Sequence, residues 1–330
     1  MRYHDPAMET PRIAGTRPLL WLLLTLLAGC AATPQVQELR RDAGGLPPRV
    51  ELDAVPFFPQ ERYQCGPAAL ATALQVAGAE ATPEALLPEV YLPDRRGSLQ
   101  MELLAASRRR ALVPYVLAPD LRALLREVAA GHPVVVLQNL GVFWAPAWHY
   151  AVVIGYDLDT ETVLLRSGRT RRLETPMTTF ERTWQRGERW ALVVLAPAEL
   201  PVTAERRAYV RAVAPLERLG HWSASRAAYQ AALARWPDDL AAGLGLGNAL
   251  YGQGERRAAA AAFRAVTEAQ PDSAAAFNNL AHVLLELGEL ADADRAARRA
   301  VELGGPREDV YRRTLQSIQK QRNFHENSGR

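Results

Sequence analysis

Four short apolar runs mark the middle of the chain: Val134-Val135-Val136-Leu137, Tyr150-Ala151-Val152-Val153-Ile154, Val163-Leu164-Leu165 and Ala191-Leu192-Val193-Val194. Each is bounded by Gly, Pro or Asp, and most are rich in β-branched residues, which reads as buried strand. Upstream the signals are helical. Gly66-Pro67 opens a helix predicted to reach about Val76, and Thr82-Pro83-Glu84 sets a cap before a proline at the first helical position. Ser98 is expected to cap a helix reaching Arg109, and Asp120 one that ends at Gly131. Helices first and strands afterwards, over residues 51–198, predict an α+β domain with an antiparallel sheet.

The pattern changes at residue 203. As far as residue 321 the chain is alanine-rich and repetitive: Gly220, Gly254 and Gly288 are spaced by 34, and so are Pro237 and Pro271. Tyr229 and Phe263 are equivalent in the same frame, as are Ala232, Val266 and Ala300. The period resembles the tetratricopeptide repeat, which implies an all-α solenoid of three helix pairs, with Arg307–Ile318 as the capping helix. Repeat one is the weakest, with Pro215 inside its first helix and Ser225 where alanine is usual. Residues 322–330 are expected to be a disordered tail.

At the other end, Arg2, Arg12 and Arg17 precede a short apolar run from Leu19 to Leu27, too short to span a bilayer. Leu27-Ala28-Gly29-Cys30 follows. This motif resembles the bacterial lipoprotein signal. The resemblance implies removal of residues 1–29, lipidation of Cys30 and stable membrane attachment without a spanning helix. With Ala31 and Ala32 after the cysteine, it implies an outer-membrane lipoprotein facing the periplasm of a Gram-negative bacterium. Residues 30–50, polar and carrying Pro34, Pro47 and Pro48, are expected to be the lipidated cysteine and its tether.

Composition narrows the chemistry. The chain has 330 residues, 48% hydrophobic residues and a formal net charge of +3, enough for two domains and no electrostatic argument for nucleic acid. A single lysine stands among 39 basic residues, a bias of composition more than a phosphate-binding surface. Two cysteines exclude a disulfide scaffold and a multi-cysteine zinc site. No metal or cofactor motif is present, and no phosphate-cradling loop. If Cys30 is lipidated, Cys65 is the one free thiol in an oxidising compartment.

Cys65 stands where a helix begins, in Gln60-Glu61-Arg62-Tyr63-Gln64-Cys65-Gly66-Pro67-Ala68-Ala69-Leu70. Backbone N–H groups and the helix dipole favour thiolate there and make a nucleophile. Gly66 is expected to leave room beside the sulfur for a substrate carbonyl, and Gln60 to offer an amide to a developing oxyanion. Of the two histidines in this domain, His149 opens a strand beside Trp144 and Trp148 and suits a base. His132, in a Gly-His-Pro turn, suits a structural role. The run Arg108-Arg109-Arg110 reads as a solvated helix end, and the two tryptophans as wall or core.

Over residues 50–196 the sequence resembles the papain-like peptidases that process double-glycine bacteriocin leaders. The resemblance rests on Gln60, on Cys65-Gly66-Pro67-Ala68-Ala69-Leu70 and on His149-Tyr150-Ala151-Val152-Val153-Ile154-Gly155. It implies Cys65 as nucleophile, His149 as general base and acid, and Gln60 as oxyanion donor, with amide hydrolysis through a thioester. Where that family carries an Asp or Asn to orient the imidazole, this chain has Ser167, expected to accept from Nδ1 and to give slower catalysis. Asp157 lies eight residues beyond His149, about 25–28 Å along an extended strand, and is set aside. Two rival readings share these residues: a papain-like domain that has lost turnover and serves binding or assembly, and acyl transfer to an amine. A protein partner is expected on the repeats, and a peptide or protein substrate in the peptidase domain.

Overall fold

The apolar runs predicted as buried strands lie in one sheet whose two faces are both covered. The computed structural model describes residues 33–60, 64–142 and 144–328. The signal segment and Cys30 lie outside the described residues. Seven strands, β1 (Arg49–Glu51), β2 (Val113–Val116), β3 (Val134–Asn139), β4 (Trp148–Asp157), β5 (Thr162–Ser167), β6 (Thr170–Pro176) and β7 (Ala191–Leu195), pair antiparallel. Their order is β2-β7-β3-β4-β5-β6, with β1 on the far half of β4. Gly155 makes that pairing possible: a Cβ there would run into the backbone of Val50 and Glu51.

One face, with Val135, Leu137, Tyr150, Val152 and Ile154, buries against α2 (Cys65–Val76), α3 (Pro83–Val90) and α4 (Gln100–Arg109). The other, with Val134, Val136, Ala151 and Val153, packs on α5 (Leu121–Ala129) and α6 (Met177–Arg186). Helix α2 is buried along residues 66–74, on every side, as an apolar helix wedged between a sheet and two helices must be. Thr82 and Asp120 cap as expected, accepting from the backbone N–H of Ala85 (3.2 Å) and Ala123 (2.6 Å). Ser98 does not cap α4, which starts after Leu99.

Three further expectations meet a different structure. Within the expected tether, Pro34–Arg41 form helix α1, whose Val36 and Leu39 enter the core. The buried Glu181 carboxylate accepts from the backbone N–H of Gln35 (3.1 Å) and Val36 (2.9 Å), satisfying the helix start. The arginine run is not merely solvated: Arg109 and Arg110 both pair with Glu89 of α3, at 2.8 and 2.7 Å. Helix α13 (Glu308–Ser328) runs on to residue 328 of the segment expected as a tail.

The helical half consists of α7 (Arg206–Arg218), α8 (Trp222–Arg235), α9 (Leu240–Gly252), α10 (Arg256–Ala269), α11 (Ala274–Glu286) and α12 (Leu290–Leu303), followed by α13. The 34-residue glycines turn the corner inside each pair, with φ of +74° at Gly220, +81° at Gly254 and +77° at Gly288. The two halves share one core. Tyr209, Val213, Ala228 and Tyr229 of the repeats join the cluster that contains Tyr115 and Leu124. The connection is stitched down: Glu127, fully buried, accepts from Thr203 N (2.7 Å), Thr203 Oγ1 (2.5 Å) and His132 Nδ1 (2.7 Å).

Candidate active site

Cys65 is the first residue of α2, and His149 is the second residue of β4, opposite Gln138 in β3. Both line one cleft of about 970 Å³, together with Gln60 and Trp148. A central helix packed on the sheet and a strand end bring the two side chains to the same cleft from 84 residues apart in sequence.

The imidazole is held from behind. His149 Nε2 lies 2.8 Å from Ser167 Oγ, at the end of β5. Ser167 was expected on Nδ1; its hydroxyl meets Nε2 instead, which leaves Nδ1 as the ring nitrogen that Ser167 does not engage. With Nε2–H donating to the hydroxyl, Nδ1 is the basic nitrogen. Asp157 is at the opposite end of β4, where it accepts from Thr160 N at 2.9 Å.

Gln60 is clamped on both sides of its amide. Its Oε1 accepts from Gly168 N (3.1 Å), its Nε2 donates to Tyr150 O (3.4 Å), and its backbone N–H donates to Gly168 O (2.9 Å). The second Nε2 hydrogen has no partner within the protein among these contacts. Gly168, at φ +57° in the β5–β6 turn, therefore fixes Gln60 and follows directly on Ser167.

Electrostatics depart from the expectation of a resting thiolate. Burial pushes the Cys65 thiol above its ordinary pKa, although backbone N–H groups of Tyr150 and Gly66 pull the other way. Burial lowers His149 below the ordinary imidazole range. Desolvation thus wins at both groups, and at neutral pH the cleft holds a neutral thiol and a neutral imidazole. Gly66 also has another role than expected. A Cβ there would collide with the Ser98 side chain, so the glycine makes room for the 91–99 loop.

Sequence reasoning missed Tyr150 as an organiser. Its backbone contacts both Gln60 and the Cys65 sulfur, its hydroxyl donates to Ser98 O (3.3 Å), and its ring meets Trp190 edge-on at 5.8 Å. Its apolar strand context suggested only core. Trp144 and Trp148 are not core: they are 83% and 56% exposed, and Trp148 forms part of the cleft wall. Among the described residues, no group of three or more His, Cys, Asp or Glu side chains is arranged to hold a metal. No helix among them is long and apolar enough to cross a membrane.

Residues 52–191 match the family described as Peptidase_C39 like, and residues 216–255 and 244–308 match the tetratricopeptide repeat. Among solved structures, a protein described as a C39-like peptidase from Bacillus anthracis is 22% identical, covering 44% of this chain and 97% of its own, with a TM-score of 0.37. The peptidase domain of Streptococcus ComA, a bi-functional ABC transporter of a quorum-sensing pathway, is 16% identical over 43% of this chain and 98% of its own, at 0.35. The Yersinia enterocolitica type III secretion translocator chaperone SycD is 20% identical, covering 36% of this chain and 85% of its own, at 0.34. No curated protein matches the chain. The chain thus carries a C39-peptidase-like domain joined to tetratricopeptide repeats.

Proposed function

We propose that this protein is a lipid-anchored cysteine peptidase that hydrolyses peptide bonds through a thioester on Cys65. The observation that carries this reading is the meeting of Cys65, His149 and Gln60 in one cleft, with the imidazole braced at 2.8 Å by Ser167. Nδ1 takes the thiol proton as sulfur attacks the scissile carbonyl, and the Gln60 amide donates to the oxyanion. The imidazolium then returns the proton to the leaving amine as the C–N bond breaks. Water, deprotonated by the same nitrogen, cleaves the thioester and restores the thiol. Because the resting pair is neutral, proton transfer accompanies attack instead of preceding it.

The test is labelling with a thiol-directed acyl probe together with turnover of a peptide library read by mass spectrometry. Wild type is expected to be labelled and to add water across peptide bonds, and Cys65→Ala to do neither. Labelling that survives Cys65→Ala refutes the assignment. The neutral pair and the serine in place of a carboxylate support a second reading, a binding lipoprotein without turnover. Labelling without any cleavage product favours it.

The anchor and location belong to the same proposal. Three residues lie between Cys30 and Pro34 at the start of α1, four residue steps in all, so a lipid on Cys30 would hold the start of α1 within about 14 Å of its anchor. The protein would face the periplasm from the outer membrane. Loss of the membrane-fraction protein in Cys30→Ala, with retention in wild type, is the expected result. The repeats recruit a protein partner or substrate in this reading. Their shared core with the sheet domain holds it at a fixed place relative to the cleft and raises its local concentration.

A further inference from the structure

Among the described residues, three arginines line the cleft, Arg95, Arg96 and Arg169, against one carboxylate, Glu188. None of the three guanidinium groups has a side-chain partner among the described residues. Elsewhere on the same domain several exposed arginines pair with acids, Arg40 with Glu161 and Arg172 with Glu51, both at 2.6 Å, and Arg109 with Glu89 at 2.8 Å. Others, such as Arg41 and Arg171, have no such partner among the described residues. The unpaired cations also bracket the reacting pair. Arg95 and Arg96 belong to the loop whose Ser98 fills the space beside Gly66, next to the nucleophile. Arg169 stands two residues after Ser167, which holds the imidazole.

The loop presents its arginines firmly. Leu92 and Gly97 pair across it (Leu92 N to Gly97 O, 2.8 Å), and Arg96 sits at φ +48° with its N–H on Pro93 O at 3.1 Å. Holding a non-glycine residue in the left-handed region costs energy that the surrounding structure must supply. A second wall, with Leu137, Pro146 and Trp148, is apolar. A concave site with an excess of one charge focuses its field and draws in the opposite charge, and a guanidinium receives a carboxylate bidentately.

We infer that the cleft selects acidic peptides, with Asp or Glu side chains flanking the scissile bond and received by Arg95, Arg96 and Arg169. The inference rests on the peptidase reading of this cleft. The test uses the full-length protein and matched peptides chosen from those it cleaves, one carrying glutamates, one with glutamine at the same positions, each also with an amidated C-terminus. At low ionic strength kcat/KM is expected to favour the glutamate peptide by about tenfold, since each exposed pair contributes a few-fold. The ratio should shrink as salt is added. It should fall toward one in the triple variant Arg95→Gln/Arg96→Gln/Arg169→Gln and part of the way in Arg169→Gln alone, which guards against misfolding of the triple.

A wild-type ratio near one overturns the inference while leaving the peptidase intact. A preference that vanishes on amidation overturns it as well, by assigning the arginines to a chain terminus. If nothing is cleaved, a fluorescent glutamate peptide is titrated against Cys65→Ala. Salt-sensitive binding that the triple variant loses upholds the inference and sinks turnover, and equal binding of the glutamine peptide sinks the inference.

Discussion

In the repeats, helices pack chiefly on their neighbours along the chain, whereas the cleft draws Gln60, Cys65, Ser98, His149 and Gly168 from segments up to 108 residues apart. The packing chemistry differs too. The sheet domain fills its two faces with Val, Leu and Ile, while the centre of the array is a glycine helix, α9. Each of its glycines faces a large side chain of a neighbouring helix: Gly243 meets Val266, Gly245 the ring of Tyr229, Gly247 that of Phe263, and Gly252 that of Trp222. The glycines that lower intrinsic helix propensity are what let these side chains reach the α9 backbone. A substitution should therefore act on stability in one half and on chemistry in the other.

The largest effect should come from the cleft. If His149 is the base proposed for Cys65, His149→Gln removes it, and a fall of about a thousandfold in kcat/KM is expected. Thermal unfolding should stay within about 1 °C of wild type, because the residue is partly exposed and not a packing element. A large drop in melting temperature would mean that His149 belongs to the fold and not to the reaction.

Next comes the seam between the halves. Glu127→Ala deprives Thr203 N, Thr203 Oγ1 and His132 of their acceptor at a fully buried site, a loss of about 3 kcal/mol. Calorimetry is expected to resolve two transitions where wild type gives one, as the shared core loses its stitch. A single transition at the wild-type temperature would show that the halves do not depend on this carboxylate.

Within the array, Gly247→Ala reverses the usual benefit of replacing a helical glycine. The added methyl meets the Phe263 ring, and overpacking of about 1–3 kcal/mol outweighs about 1 kcal/mol of helix propensity. Denaturant melts should show a lower midpoint, with labelling of Cys65 by the acyl probe unchanged per folded molecule. Stabilisation would mean that the ring moves aside.

The same contrast explains what could be read from the chain. The array was legible because its constraint is local and repeated: a positive φ every 34 residues demands glycine at Gly220, Gly254 and Gly288. Strands β3, β4, β5 and β7 were legible because burial on two faces demands continuous apolar runs. Strand β6 was not, since an exposed edge strand of sequence Thr-Arg-Arg-Leu-Glu-Thr-Pro carries no such demand. At the site, Cys65, His149, Gln60 and Ser167 were singled out from motif resemblance, and the fold does gather them. Which imidazole nitrogen meets Ser167 depends on how the ring is turned in the folded site, and the state of the thiol depends on desolvation. Neither is a property of spacing along the chain. The partnership of Gly66 with Ser98 likewise joins residues 32 apart that share no pattern.

The smallest effects should come from Ser167, and they test the protonation scheme most directly. Ser167→Ala removes one neutral hydrogen bond to Nε2, worth about 1 kcal/mol, so kcat/KM should fall about fivefold. Ser167→Asp should act in the opposite sense on the histidine. A carboxylate beside Nε2 favours imidazolium and raises the His149 pKa, which burial holds below the ordinary range in the wild type. The acid limb of the kcat/KM profile reports loss of the neutral base. In wild type it should therefore lie below the ordinary imidazole range, and in Ser167→Asp it should move to higher pH. Alkylation of Cys65 gives the complementary limb. With a neutral resting pair its rate in wild type should rise only above the ordinary thiol range, and the aspartate variant, by stabilising the ion pair, should bring that rise to lower pH. Coincident profiles for the two proteins would mean that Ser167 touches the ring without governing its charge.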